Sequence, residues 1–353
     1  MTSKSVLNCL YGIVTATFLL IFQAPVFAQY DFSAIDRILE RNKKEIGADI
    51  VVMVASPDKI LYKKELGEMR ANSEAPLADA SKWLTAAVIM QAVDEGTMTL
   101  DDKLVDYIPL MEKYKKSYIA IRHCLSHTTG LEASEVSLNA IKKTKYETLQ
   151  EEVNDFITKR DIKNNPGEEF WYSNVGLNMA ARIMELKSKN KSFDRIAQEK
   201  FFRPMTMKTN FRTDGVSAVN PSAGGRSNAA DYIKFLQMIL NNGMFNGKHI
   251  LSENAIAAMH KPQITADMIK YAPKAAEGFL YGYGNWVKFS ENNPNQLSLS
   301  HSSGLFGPYV MIDHCNKYAL VILVPELSAE KKKDEIYKQI KGAIDEALSS
   351  SCE

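Results

Sequence analysis

Two short apolar runs rich in β-branched residues, one near each end of the 353-residue chain, constrain the fold most. Ile50–Ala55 reads Ile-Val-Val-Met-Val-Ala, and Tyr318–Val324 reads Tyr-Ala-Leu-Val-Ile-Leu-Val. Runs of this length and composition read as strands. After a Pro57-Asp58 turn, Ile60–Tyr62 resumes extended structure, and Gly282–Phe289, Gln296–Ser300 and Pro308–Ile312 have the same character. The middle of the chain is helical in pattern. A sheet built from the two ends of the chain, with a helical insertion between them, accommodates this order.

The helical signals are specific. Asp31–Ile46 spaces Phe32, Ile35, Ile38 and Leu39 at helical intervals and stops at Gly47, a good C-terminal cap. Lys82–Asp94 places Leu84, Val88, Met90 and Ala92 in a helix that ends near Gly96, and Tyr146–Thr158, Val175–Leu186, Ser192–Phe201 and Ala229–Leu240 also read as helices. Pro166-Gly167, Asn220-Pro221 and Gly224-Gly225 punctuate this region, and Lys332–Leu348 is a final helix. The expected organisation is one domain over residues 29–353, with one lobe from about 31–76 and 275–350 and a helical lobe at about 77–274. A cleft between two such lobes is a usual place for a small-molecule site.

Composition narrows the class. A chain that is 45% hydrophobic and 24% charged is globular, and a net charge of +1 with no basic block argues against nucleic acid. Lys331-Lys332-Lys333 reads as a solvated helix start. Residues 1–28 read as a signal peptide: Lys4 is the positive region, Leu10–Phe22 the apolar core, and Val26-Phe27-Ala28 the small residues before cleavage. The expected location is periplasmic or secreted. The alternative is an uncleaved membrane anchor, for which the apolar stretch is short of the roughly 20 residues needed to span. Export would permit a disulfide among Cys124, Cys315 and Cys352; Cys315 with Cys352 is conceivable, but spacing does not determine the pairing.

Three short segments carry the chemistry: Asp79-Ala80-Ser81-Lys82, Tyr172-Ser173-Asn174 and His301-Ser302-Ser303-Gly304. Between them stand Asp94-Glu95-Gly96 with Leu100-Asp101-Asp102, Leu125-Ser126-His127-Thr128-Thr129-Gly130-Leu131, Pro166-Gly167-Glu168, Ala223-Gly224-Gly225-Arg226-Ser227, and Asn242-Gly243 with Ile250-Leu251-Ser252. In order and spacing, from about residue 31 to 348, these resemble the serine β-lactamase and penicillin-binding-protein superfamily, in its class C β-lactamase, DD-peptidase and esterase branch. The resemblance implies an α/β (α+β) fold, with an antiparallel sheet flanked by terminal helices and an all-helical lobe. One residue departs from the pattern. The family opens with S-x-x-K, whose serine is the nucleophile, and here Asp79 holds that position.

Carried over residue by residue, the resemblance makes Asp79, Lys82 and Tyr172 the catalytic positions and Asn174, His301, Ser303 and Gly304 the substrate-binding ones. The N–H groups of residue 79 and Gly304 would form the oxyanion hole. Positions i and i+3 of a helix share a face, so residue 79 lies beside Lys82. A carboxylate next to an ammonium stabilises the charged form of both. A tight Asp79–Lys82 pair, a lysine held protonated, a carboxylate partly folded into its own oxyanion hole and little acyl transfer are therefore expected. Asp79 as a nucleophile towards an alkyl or epoxide carbon, or as a base activating water, remains open. Ser81 is rotated by about 200° from residue 79 on a helix and should point elsewhere.

Other features have bland and functional readings. His123 and His127 have the i, i+4 spacing of metal ligands, but no glutamate follows His123, and the resemblance makes His127 structural. His301 is either a pocket wall or a catalytic acid. Tyr281-Gly282-Tyr283-Gly284 is either an aromatic substrate strip or the entry to a strand. Trp83 and Trp171 either line the pocket or pack the helical lobe. No metal or organic cofactor is indicated. Three functions stand: an exported hydrolase of a small ester, amide or D-amino-acid peptide; a catalytically impaired binding or regulatory homologue; or an enzyme of another reaction class using the Asp79 carboxylate. The expected partner is a small-molecule or peptidoglycan-like substrate, with no nucleic acid and no membrane span once the signal is removed.

Overall fold

A computed structural model describes residues 30–134, 145–211, 218–302, 306–327 and 332–349. The chain divides into residues 1–31 and Phe32–Glu353, and the fold lies in the second part. The signal segment, residues 1–28, lies outside the described residues.

The sheet has seven strands: β1 (Ile50–Ala55), β2 (Ile60–Leu66), β3 (Leu280–Tyr281), β4 (Trp286–Phe289), β5 (Leu297–His301), β6 (Tyr309–Asp313) and β7 (Tyr318–Leu323). Their spatial order is β2-β1-β7-β6-β5-β4-β3, and every neighbouring pair is antiparallel. β1 and β7, the two apolar runs from opposite ends of the chain, lie side by side with Val51 opposite Leu323 and Ala55 opposite Ala319. Every residue of both is buried, because the sheet is covered on both faces. Side chains alternate across a strand. Ile50, Val52 and Val54 join a cluster with the terminal helices α1 (Ser33–Arg41) and α7 (Lys332–Ala347), while Val51, Met53 and Ala55 face the main core.

The insertion supplies α2 (Ser81–Asp94), α3 (Leu149–Lys159), α4 (Val175–Lys187), α5 (Ala229–Leu240) and α6 (Glu253–His260). α2 is buried nearly all round, as a helix at the centre of a lobe must be. Several boundaries differ from the sequence expectation for local reasons. The first helix breaks at Asn42, whose amide donates to the Ile38 carbonyl at 2.8 Å. α3 starts at Leu149 because the Thr148 hydroxyl caps the Glu151 N–H. Gly282–Asn285 is the turn between β3 and β4, closed by Gly282 N–H to Asn285 O at 2.9 Å, so the strand expected from Gly282 begins at Trp286. α6, capped by Ser252, is an additional helix.

That turn presses the sheet onto α2. Gly284 has φ +81°, and a Cβ there would meet the Ala86 Cβ at 2.2 Å and the Lys82 carbonyl at 2.7 Å. Gly342 has open space where its Cβ would go and an ordinary helical φ. Gly284→Ala should therefore lose about 2–4 kcal/mol in urea unfolding, from backbone strain plus overpacking. Gly342→Ala should be neutral to stabilising, by about 0.5–1 kcal/mol.

Candidate active site

Asp79 sits in a one-turn 3₁₀ segment, Ala78–Ala80, that runs into α2. Ala78 has φ +45°, a left-handed conformation that costs a residue with a Cβ energy and persists where the surroundings impose it. Three contacts hold the turn. Leu77 N–H donates to Gly225 O at 2.8 Å, the Tyr232 hydroxyl to Ala80 O at 2.8 Å, and the Ser302 hydroxyl to Asp79 O at 3.1 Å. The turn is thereby tied to α5, to the Gly224-Gly225 segment and to the end of β5.

Lys82, on the first turn of α2, is fully buried and its three ammonium protons all have acceptors. They go to Asp79 Oδ1 at 2.7 Å, Asn174 Oδ1 at 2.9 Å and Ser222 O at 3.2 Å. The ammonium also lies 4.8 Å from the centre of the Tyr172 ring. Burial pulls the lysine below its ordinary pKa, and the Asp79 charge and hydrogen bond oppose this. A neutral amine has one donor fewer and would leave one of these acceptors unmatched. The geometry is that of an ammonium.

Tyr172 is buried on the other side of the pair. Burial, and then the Asp79 charge, push its phenol well above the ordinary range. It therefore stays protonated. Behind it stands a block of rings: Trp286 at 5.3 Å, His127 at 5.0 Å and Tyr281 at 6.0 Å between centroids. His127 Nε2 is 3.1 Å from the Tyr281 hydroxyl, and burial together with the Lys82 charge holds this imidazole well below its ordinary pKa. His127 and Tyr281 are thus supports for Tyr172.

Of the expected residues, the structure brings Asp79, Lys82, Tyr172 and Asn174 into one cluster. His301 joins through an intermediary: its ring stacks with Trp286 at 6.4 Å and with Tyr309 at 6.5 Å, and Phe279 meets it edge-on at 4.5 Å. Burial pushes its pKa down to about 3, which keeps the ring neutral. Ser303 and Gly304 lie outside the described residues. Ser81 turns away, its hydroxyl accepting the Gly225 N–H at 2.9 Å. Trp83 packs the core against Phe235, whereas Trp171 is half-buried and stacks on Tyr271. His123 Nδ1 accepts the Ala120 N–H, a helix-capping role. Cys315 is in a disulfide and Cys124 is a buried free thiol, while Cys352 lies outside the described residues. Among the described residues, no cluster of three or more His, Cys, Asp or Glu is arranged to hold a metal ion.

Sequence reasoning missed the supports. Ser222 gives Lys82 its third acceptor, and its own hydroxyl donates to Asn174 O at 2.9 Å. Asn178, fully buried on α4, accepts the Ser222 N–H at 2.9 Å and donates to Glu152 at 2.9 Å. The only sequence signal was the Asn220-Pro221 turn, which marks a break in the chain but not a carbonyl aimed at a lysine.

The β-lactamase family model matches residues 36–343. The chain belongs to the β-lactamase family. It is 22% identical over 277 residues to the D-alanyl-D-alanine-carboxypeptidase/endopeptidase AmpH of Escherichia coli K12, covering 71% of each chain. Solved structures with the same fold include a candidate β-lactamase of Bacteroides dorei DSM 17855 (TM-score 0.79, 23% identity, covering 91% of this chain and all of that one). The hydrolase EstCE1, with promiscuous acyltransferase activity, matches at TM-score 0.73 and 17% identity, covering 88% of this chain and 97% of its own. The octameric penicillin-binding-protein homologue of Pyrococcus abyssi matches at 0.69 and 18%, covering 90% and 77%. The family is one of hydrolases with small-molecule or peptidoglycan-like substrates.

The buried pair has a thermodynamic signature. Lys82→Met leaves the Asp79 carboxylate uncompensated and should cost about 3–5 kcal/mol in urea unfolding. The double variant Asp79→Ala/Lys82→Met should cost less than the sum of the single changes, a coupling that a double-mutant cycle reads directly. His301 gives a pH signature. The unfolded chain binds a proton near the ordinary value of 6.5 while the folded ring resists until about 3, so stability falls as pH drops below 6.5. His301→Phe should remove roughly 1–2 kcal/mol of the acid loss measured between pH 6.5 and about 5.

Proposed function

We propose that the chain is an exported β-lactamase-family protein whose cleft engages a small ester, amide or D-amino-acid peptide and which Asp79 has taken out of serine acyl transfer. The reading rests on the hydrogen bonds of Lys82. A lysine that removes a proton from a nucleophile needs a lone pair. Here all three Nζ protons are committed, the shortest bond running to the group in the serine's place. Asp79 is no freer. Its carboxylate is bonded to the Lys82 ammonium at 2.7 Å beside the uncharged Tyr172 phenol, and it is 1% exposed. Its attack on an ester or amide would yield a mixed anhydride, a high-energy intermediate. The location follows from residues 1–28, whose pattern is that of a secretory signal. The kinship with the D-alanyl-D-alanine-carboxypeptidase/endopeptidase AmpH and the likeness to the hydrolase EstCE1 support the substrate class.

A fluorophosphonate probe and a chromogenic ester test this. Wild type and Asp79→Ala should be unlabelled and show equal background hydrolysis. Asp79→Ser places a hydroxyl beside Lys82 and Tyr172 and should gain probe labelling and at least about a 100-fold rise in ester turnover. Wild-type turnover that Asp79→Ala abolishes would instead make the carboxylate a catalytic group.

A further inference from the structure

The Ser222 carbonyl reaches Lys82 from a turn that is itself held in place. Ser222 and Asn178 are both fully buried. The Ser222 N–H donates to Asn178 Oδ1 at 2.9 Å. On either side of it, the Thr85 hydroxyl donates to Pro221 O at 2.6 Å and the Ala223 N–H to Asn220 Oδ1 at 3.1 Å. The other end of the Asn178 amide, Nδ2, donates to Glu152 Oε2 at 2.9 Å and reaches Asn220 Oδ1 at 3.5 Å. An ionised carboxylate only accepts. Reversing the amide would set Nδ2 against the Ser222 N–H and Oδ1 against the carboxylate, two mismatches at once. Glu152 therefore selects the amide orientation that Ser222 requires. The chain Glu152–Asn178–Ser222–Lys82 runs from α3 through α4 and the turn before α5 to α2.

Glu152 is half-buried, and among the described residues no lysine or arginine forms an ion pair with it. Burial pushes its carboxyl up to about 7. The Asn178 bond and the charges of Arg160 and Lys145 oppose the rise, and the Asp155 charge adds to it. The remaining charged groups of this region are engaged elsewhere. Asp155 takes the Tyr146 hydroxyl at 2.6 Å and pairs with Lys159. Lys116 is held by the Ile157 and Arg160 carbonyls, and on α4 Arg182 pairs with Glu185 at 2.9 Å.

We propose that Glu152 is a positioning residue that, through Asn178 and Ser222, presents the third acceptor to the Lys82 ammonium. The inference concerns the surroundings of the lysine and stands whether or not the site turns over a substrate. The ionised carboxylate makes a charge-assisted bond, roughly twice as strong as one to a neutral acceptor. Protonation weakens that bond, and the new O–H competes with the Ser222 N–H for Asn178 Oδ1. The grip on the Ser222 peptide thus loosens as Glu152 takes up its proton.

Nuclear magnetic resonance tests this on the whole chain, with nitrogen-15 in serine and carbon-13 at lysine Cε. Ser222 and Lys82 are identified by the signals lost in Ser222→Ala and Lys82→Met. In wild type, the Ser222 amide signal should move as the pH is taken from about 8.5 to about 5.5, with a midpoint near 7, and the Lys82 signal should follow it. Glu152→Gln supplies a neutral acceptor of the same shape. Its Ser222 signal should no longer titrate and should stay near the low-pH position of wild type. Glu152→Leu supplies no acceptor and should displace the signal further in the same direction. A wild-type Ser222 signal that holds still, a midpoint retained in Glu152→Gln, or a Lys82 signal that does not follow overturns the inference. So does a Glu152→Leu signal that coincides with that of Glu152→Gln, which would leave Glu152 a packing role only. Should Glu152→Leu fail to fold, the comparison of wild type with Glu152→Gln decides.

Discussion

The site is organised around one buried ion pair. Asp79 and Lys82 meet at 2.7 Å with side chains 1% and 0% exposed. Charges removed from water so completely persist only when they are matched and hydrogen-bonded. The surroundings do both. Asn174 from the start of α4, Ser222 from the turn before α5 and Tyr172 from the segment before α4 all converge on the pair. Three separate stretches of chain are held in register by the need to satisfy one ammonium and one carboxylate. The strained Ala78, the Ser302 contact and the close approach of Gly284 to α2 hold the turn that carries Asp79 in the same place.

The same arrangement accounts for the proposed loss of acyl transfer. In the family's pattern, a serine beside the lysine can give up its proton because the lysine and tyrosine can take it. Replacing that hydroxyl by a carboxylate reverses the demand. The carboxylate pairs with the lysine at 2.7 Å, and its charge helps to keep the neighbouring tyrosine protonated. The aromatic block behind Tyr172, built from His127, Tyr281 and Trp286, excludes water and strengthens the effect, since electrostatic interactions grow as the local dielectric falls. Asn174, unlike the pair it holds, is only half-buried.

Much of the fold was legible in the sequence because local patterns and tertiary placement agree. The two β-branched runs read as strands and became the adjacent central strands β1 and β7. The helix from Lys82 to Asp94 appeared within one residue of its observed start. Errors fell where a side chain overrode periodicity: Asn42 breaking the first helix, Thr148 delaying α3, and the Gly282–Asn285 turn consuming half of an expected strand. In the site, helical spacing alone was enough to place Asp79 beside Lys82 and to turn Ser81 away, and both hold. His301 lies one indole away from the cluster, a distance that motif order does not encode.

By itself the sequence determined which elements form, which family the chain resembles and which residue in the first motif is changed, because these depend on residue types and short-range spacing. The tertiary structure alone decided what surrounds the changed residue. Whether an aspartate beside a lysine is a base, a nucleophile or half of a locked pair depends on burial and on acceptors contributed from far along the chain, above all the Ser222 carbonyl, 140 residues from Lys82. A backbone carbonyl belongs to every residue, so no residue type announces it. Only the folded chain, by withdrawing water from the pair and supplying that carbonyl in its place, settles where the protons reside.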